Sequence, residues 1–444
     1  MQTPSHKKTV ASAKQIQYLL DELVLCNVSK SASTFSIELT DNIIRVELSA
    51  VVYQEANFDF AKTSITDNNI AFLENLSEKI HSDCNPSAQE LCRTQANNSN
   101  ELLKLIYFFS NERYLDNCQY DRHGRPVIQS IDKRVAKHLD LPITDILIQL
   151  LRYRLKLPEV AKSFSINFTC DFDILNIHTT LGVVGSMKRF VKAALKLRFA
   201  QLHTELISLL SGNRFHTKNP FLNDSMFHYK GNGKKGVVTN IGFLLVDHQH
   251  PTFDTKNKLT PAVHRFFQTL KKKGVLLGLH PAYLTMDKPE SLPAQLTLFN
   301  NYTDDSTKLI RFHFLRCIYP RELRHLEANG FEKDFSFGFA DSLAFRGGIT
   351  GPFRMWDPER NCANPVLITP LTLMESTFFD YLHLPLEEAK KEAIKKLALC
   401  IQYGNTITLL WHNRSMYKYG FEQNYYPALL AYITDYLQKE DLIG

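Results

Sequence analysis

The chain has 444 residues, 44% hydrophobic and 22% charged, the balance of a globular protein with a proper core and enough length for two or three domains. Its formal net charge is only +6 at pH 7, and the Lys and Arg are scattered without a basic stripe interleaved with aromatics, which argues against a nucleic-acid partner. No run approaches the ~18 apolar residues of a membrane-spanning helix, and no apolar stretch follows Lys7 and Lys8 as a signal peptide requires. The eight cysteines (Cys26, Cys84, Cys92, Cys118, Cys170, Cys317, Cys362 and Cys400) form no CxxC and no metal-finger spacing. Reduced, buried thiols in a cytoplasmic protein are therefore expected.

In chain order, residues 12–27 have amphipathic-helix spacing through Ile16, Leu19, Leu20 and Leu23, and Phe35 to Val46 alternates like strands of a small α/β unit. Residues 81–100 are polar and end in Asn97-Asn98-Ser99-Asn100, a loop and helix cap, ahead of an apolar helix from Glu101 to Phe109. Asp121-Arg-His-Gly-Arg-Pro126 reads as a turn, because Gly124 and Pro126 break regular structure. It is either a surface connection or an interface element. From about 155 the pattern changes to strands alternating with helices, the mark of a βα-repeating domain. The boundary is placed near 155–165, giving an N-terminal α/β domain over 1–158 and a larger βα domain over 159–444.

Ser165 to Asp173 alternates with the period of a half-buried strand and ends on Asp171 and Asp173. On an extended backbone, residues i and i+2 face the same way, so both carboxylates can enter one site at the strand's C-terminal edge. Two like charges that close need a cation or a shared proton, which suits a metal ligand beside a general base; a solvated strand end is the plainer alternative. Gly185 to Leu210 follows as a long basic amphipathic helix, with a positive face that is either solvated or suited to phosphate or a membrane surface, and residues 213–236 form a polar loop. Val237 to Val246 is a buried strand ending at Asp247-His-Gln-His250. Leu259 to Lys273 is helical, and Gly274 to His280 is another buried strand. Leu309 to Arg316 alternates and carries His313. Val366 to Thr369 is apolar. Pro385 suits the start of a helix from Leu386 to Gln402. Thr406 to His412 is a last strand, and Ala428 to Leu437 a closing helix.

Four strands thus end on groups that bind metals or move protons: Asp171 and Asp173; Asp247, His248 and His250; His280; and His412. In a parallel βα barrel all C-terminal strand ends lie on one face, where such folds place their sites.

Several motifs in order carry a family resemblance: Thr169-Cys-Asp-Phe-Asp173, Gly278-Leu-His-Pro-Ala-Tyr283, Arg311-Phe-His-Phe-Leu-Arg316, Gly338 to Gly348 with Pro352-Phe353, and Leu410-Trp-His-Asn413. Together they resemble a branch of the polysaccharide deacetylases with NodB homology, known mainly from bacterial genomes, that carries an uncharacterised N-terminal domain. Tyr107-Phe-Phe109 and Asp121 to Arg125 resemble the end of that domain. The resemblance implies a distorted (β/α)7 barrel of the NodB-homology type that removes acetyl from an N- or O-acetylated sugar in a surface-glycan or related pathway, using a divalent metal. It further implies Asp171 as base, Asp173 and His280 as metal ligands, His412 as acid, and Arg311 or Arg316 as the group that orients the base. Zinc is the default metal for mixed nitrogen and oxygen ligands.

The sequence departs from that pattern in three ways. The second histidine of the usual second motif is missing, Tyr283-Leu284 standing in that stretch; Cys170 takes a histidine's place; and the two aspartates are separated rather than adjacent. His313 is the expected third ligand, because an alternating strand would put it on the same side as Arg311, with His248 and His250 as rivals. Arg346, Trp356, Arg316 and Tyr283 are candidate sugar contacts, and Glu375 a candidate partner that fixes the tautomer of His412. A non-catalytic carbohydrate-binding or scaffolding protein that keeps the barrel is the alternative function.

Overall fold

The computed structural model describes residues 18–19, 35–40, 43–48, 51–56, 67–82, 99–154, 164–175, 191, 194, 202, 222–232, 235–416 and 425–444. The expected helix over 12–27, the polar loop over 81–100 and the basic helix over 185–210 lie largely outside them, as does the first part of the loop over 213–236. The chain divides into two compact units. The first comprises Met1–Lys162 together with Ala344–Ile368 and Leu399–Asn405, and the second comprises Ser163–Leu343, Thr369–Ala398 and Thr406–Gly444.

In the first unit, strands Phe35–Thr40, Ile43–Leu48 and Val51–Ala56 pair as an antiparallel meander. Helix Ser99–Ser110 buries Leu102, Leu103, Ile106 and Phe109, and helix Ile143–Arg154 buries Ile146, Leu147, Leu150 and Leu151. Repeats at three and four residues place each set on a broad apolar face, so the two helices form a core. The Asp121 turn is tied from within: the Asp121 carboxylate accepts from the N–H groups of His123 and Arg125 at 2.8 and 2.9 Å, and Gly124 takes φ +72°. His123 and Arg125 are buried, Asp121 and Gly124 half-buried and Arg122 exposed, so the turn is a surface connection with two of its side chains turned inward.

The second unit is α/β, built on a parallel sheet. Among the described residues its strands are β1 (Phe164–Phe172), β2 (Gly236–Leu245), β3 (Leu276–His280), β4 (Leu309–Ile310), β5 (Lys333–Asp334), β6 (Leu373–Met374) and β7 (Thr406–His412). Within an eight-stranded sheet they take the order β5-β4-β3-β2-β1-β7-β6, and every neighbouring pair among these seven is parallel. That order is the cyclic sequence of seven strands opened at one seam, between β5 and β6. One segment spans the seam: Thr369 donates its N–H to the Asp334 carbonyl (2.7 Å) and Leu371 to that of Phe337 (2.8 Å), and Thr372 donates to Thr408 in β7 (2.9 Å).

Strand β1 is buried on both faces, not half-buried, as suits the middle of a parallel sheet covered by crossover helices. Ile166, Phe168, Cys170 and Phe172 alternate with Asn167, Thr169 and Asp171, so one face is apolar and the other polar. Phe172 packs against Phe266 and Phe267, with ring centroids 5.8 and 5.2 Å away. Both belong to helix Pro261–Lys272, whose start is set by Pro261 and by the Thr260 hydroxyl accepting from the Val263 N–H. On the polar face, Asn167 donates to the Thr408 hydroxyl at 3.1 Å, and the Thr169 hydroxyl to the Leu409 carbonyl at 2.6 Å.

Two further expectations are corrected. The strand over 309–316 stops at Ile310, and His313 sits on a 3-10 turn, His313–Leu315. Cys118, Cys170, Cys317, Cys362 and Cys400 are all free thiols, but Cys362 is exposed and Cys118 half-buried rather than buried.

Gly278 in β3 leaves room for the Phe243 ring: a Cβ there would meet two of its carbons at 2.5 Å. Gly278→Ala should therefore overpack the interior and lower stability by about 1–3 kcal/mol, read as a lower urea midpoint at unchanged slope.

Candidate metal centre

The register brings the chemistry to one edge. Asp171 pairs with His412 across β1 and β7, and Leu245 with His280 across β2 and β3. Parallel strands in this alignment finish at a common C-terminal rim, so Asp173, His280, His412 and the residues after β4 converge there.

Asp173, His280 and His313 each offer one ligand atom, and the three atoms lie within 4.8 Å of one another. Asp173 Oδ1 is 3.2 Å from His280 Nε2 and 3.7 Å from His313 Nε2. Ligands on ~2 Å bonds to one cation sit roughly 3–4 Å apart. The outer nitrogens are engaged elsewhere: His280 Nδ1 is 2.6 Å from the Arg311 carbonyl, and His313 Nδ1 is 3.1 Å from Asp254 Oδ1. A carbonyl can only accept, so the His280 proton is on Nδ1 and its Nε2 faces the cluster. Asp173 Oδ1 and His280 Nε2 are buried without a hydrogen-bond partner, a costly arrangement unless a cation joins them. The donor set fits a divalent metal.

Electrostatics agree with the geometry. Burial alone would raise the Asp173 carboxyl, but the adjacent His280 imidazole and the His313 and His412 charges outweigh it and hold the carboxyl well below the usual range. Burial likewise opposes charge on His280, yet Asp171 and Asp173 raise its pKa.

Two buried pairs flank the cluster. Asp171 Oδ1 accepts from Arg311 Nη1 at 2.9 Å, while Asp171 Oδ2 lies 3.7 Å from His280 Nε2. Arg311 also donates from Nη1 to the Thr169 hydroxyl (2.8 Å) and from Nε to the Phe335 carbonyl (3.0 Å), and its Cζ stands 4.5 Å from the Phe243 ring centroid. On the other side His412 Nδ1 is 2.9 Å from Glu375 Oε1, which also accepts from the His412 N–H and the Ser415 hydroxyl. His412 Nε2 then lies 4.0 Å from Asp173 Oδ2. Burial would lower the His412 pKa, but the Glu375 charge and hydrogen bond, with Asp173, raise it to about 9.

The remaining candidates go elsewhere. Arg316 is paired with Asp287 (3.0 Å), donates to the Tyr283 carbonyl and lies over the Tyr283 ring at 3.9 Å, so it does not reach Asp171. Tyr283 is itself buried, its N–H donating to Asp254 at 2.8 Å. Arg346 belongs to the first unit, its guanidinium fork filled by the Glu112 carboxylate at 2.6 and 3.0 Å. Trp356 is buried in that unit beside Tyr18, so no sugar face can stack on it. His250 Nδ1 caps the N–H groups of Thr252 and Phe253, and neither it nor His248 joins the group of ligand atoms that Asp173, His280 and His313 form among the described residues.

Two positioning residues escaped the sequence reading. Asp254 holds His313, and Asn257 donates from Nδ2 to the carbonyls of Asp173 and Leu245 at 2.9 and 3.1 Å, pinning the end of β1 to that of β2. Neither lies in a motif; their only signal is a polar loop directly after a buried strand.

No protein-family model matches the chain, and neither does any curated protein. Among solved structures, the chain is similar to a crystal structure of a protein from Mycobacterium smegmatis provisionally described as a polysaccharide deacetylase. The two share 13% identity over 64% of this chain and 87% of the other, with a TM-score of 0.36.

The His412–Glu375 pair sets a pH dependence. A histidine whose pKa rises on folding stabilises fully below its unfolded value of about 6.5, and that contribution fades as pH climbs through about 9. Metal-free protein should lose urea resistance between pH 7 and 9.5, and Glu375→Gln should flatten the loss.

Proposed function

We propose that the second unit is a metal-dependent deacetylase acting on an acetylated sugar, with its parallel sheet serving as the wall of a NodB-type (β/α)7 barrel. The observation that carries this reading is the meeting of Asp173, His280 and His313 ligand atoms within 4.8 Å, between one buried pair that can take a proton and another that can give one. The carbohydrate rests on the ordered sequence motifs. Zinc is the metal proposed, because imidazole and carboxylate together suit it. A cation held by Asp173, His280 and His313 would supply Lewis acidity toward the acetyl carbonyl and a water nucleophile at neutral pH.

The rest is done by side chains. Asp171, held by Arg311 through Oδ1, has Oδ2 turned to the cluster and takes the proton from the attacking water. His412 is a cation at neutral pH because Glu375 raises its pKa to about 9. Its Nε2 proton therefore passes to the leaving nitrogen or oxygen as the bond to the acetyl carbon breaks. Acetate and the free amine or hydroxyl are the products. Arg311 is fully buried, and its Nη1 fixes Asp171 Oδ1 so that Oδ2 stays turned to the cluster.

Purified protein should contain one divalent metal per chain and release acetate from acetylated sugars. His280→Ala should lose metal and activity together. Asp171→Asn should keep the metal while kcat falls by roughly 10²–10⁴-fold, the usual worth of general-base catalysis. Glycan binding without metal or acetate release would instead favour a non-catalytic carbohydrate-binding protein.

A further inference from the structure

Among the buried carboxylates to which the mechanism gives no role, one touches the metal cluster. Asp254, with no side-chain exposure, gathers three separate segments. Its Oδ1 accepts from the Tyr283 N–H (2.8 Å) and faces His313 Nδ1 (3.1 Å), and its Oδ2 accepts from the N–H groups of Gln249 (2.9 Å) and His250 (2.8 Å). These four contacts use all the acceptor positions that a carboxylate has.

The ligand it touches needs outside support. His313 is carried on a short turn rather than a strand, and the two residues after it, Phe314 and Leu315, stand at φ +60° and +55°. That left-handed region is unfavourable for side-chain-bearing residues and persists only where the surroundings enforce it. Here the Phe314 ring packs on His313 (4.7 Å between centroids), on Phe253 (5.4 Å) and on Tyr283 (5.4 Å). Phe253 adjoins Asp254 in the chain, and Tyr283 gives it a backbone hydrogen bond. The turn and the carboxylate are thus parts of one assembly.

We propose that Asp254 is a positioning residue for the third metal ligand: it fixes the proton of His313 on Nδ1 and aims Nε2 at Asp173 and His280. This rests on the reading that those three residues hold a divalent cation. The two histidines are then oriented by different means, His280 by the Arg311 carbonyl and His313 by a charge. A carboxylate partner makes its imidazole a stronger donor than a carbonyl does. In this way the chain recovers a second histidine ligand, which its Gly278–Tyr283 motif lacks, from two loops far apart in sequence.

Zinc titration of the metal-stripped full chain tests this, with side-chain ¹⁵N spectra of the histidines. Wild type should bind one zinc, and the His313 signals should show coordination through Nε2 with a protected Nδ1–H. Asp254→Asn should bind zinc about 10–100-fold more weakly. In a His313→Ala background the same change should make little further difference, since Asp254 acts through that ring. Coordination through His313 Nδ1, unchanged zinc affinity in Asp254→Asn, or an equal loss in the His313→Ala background would each overturn the proposal. The wild-type spectrum decides it even if Asp254→Asn does not fold. Absence of zinc binding by wild type would instead sink the metal-centre reading beneath it.

Discussion

The interior of the second unit depends on one buried cation. Arg311 is fully enclosed, and an unpaired guanidinium in that setting would be prohibitively costly. Its neighbours offset much of the cost: Asp171 supplies the opposite charge, Thr169 and the Phe335 carbonyl take N–H groups of Nη1 and Nε, and the Phe243 ring covers its face, while Nη2 has no hydrogen-bond partner. Each partner comes from a strand or a strand end, so the pairing that satisfies Arg311 also fixes how β1, β2, β4 and the segment after β5 meet. This explains why the polar face of β1 carries Asn167, Thr169 and Asp171 where a sheet of this kind would otherwise be aliphatic.

The same arrangement gives the rim its polarity. Asp171 is held by the Arg311 guanidinium, whereas His412 is held by a carboxylate that raises its pKa to about 9. Two residues at matching register positions on adjacent strands are thereby set against opposite partners, Asp171 against a guanidinium and His412 against a carboxylate. Such a split between neighbouring titratable groups is how a single site can take one proton and give another. Asp173 lies between them, ionised by the surrounding histidines.

The residues given roles by analogy with sugar-binding sites show the limit of residue type as a guide. Arg346 and Trp356 both have the chemistry to hold a sugar, but both are enclosed in the first unit, one by Glu112 and the other beside Tyr18. A guanidinium and an indole serve packing and recognition equally well, and only burial separates the two uses.

Much of the second unit was legible in the residues. The runs at 236–245, 276–280 and 406–412 are apolar and bounded by Gly, Pro or polar turns, so local patterning alone marked them as strands. The i, i+2 spacing of Asp171 and Asp173 likewise determined that both would leave one strand end together. What sequence could not decide was anything that depends on where strands sit beside one another. Alternation through Leu309–Arg316 suggested a strand, yet the chain turns after Ile310 because Arg311 is drawn into the interior by its partners and His313 is held by Asp254 from another loop. That contact joins residues 59 positions apart, a separation at which no local period carries information. The sequence by itself thus determined which strands end in reactive groups; the tertiary structure alone decided which of those groups meet, since only packing sets the distance between side chains remote along the chain.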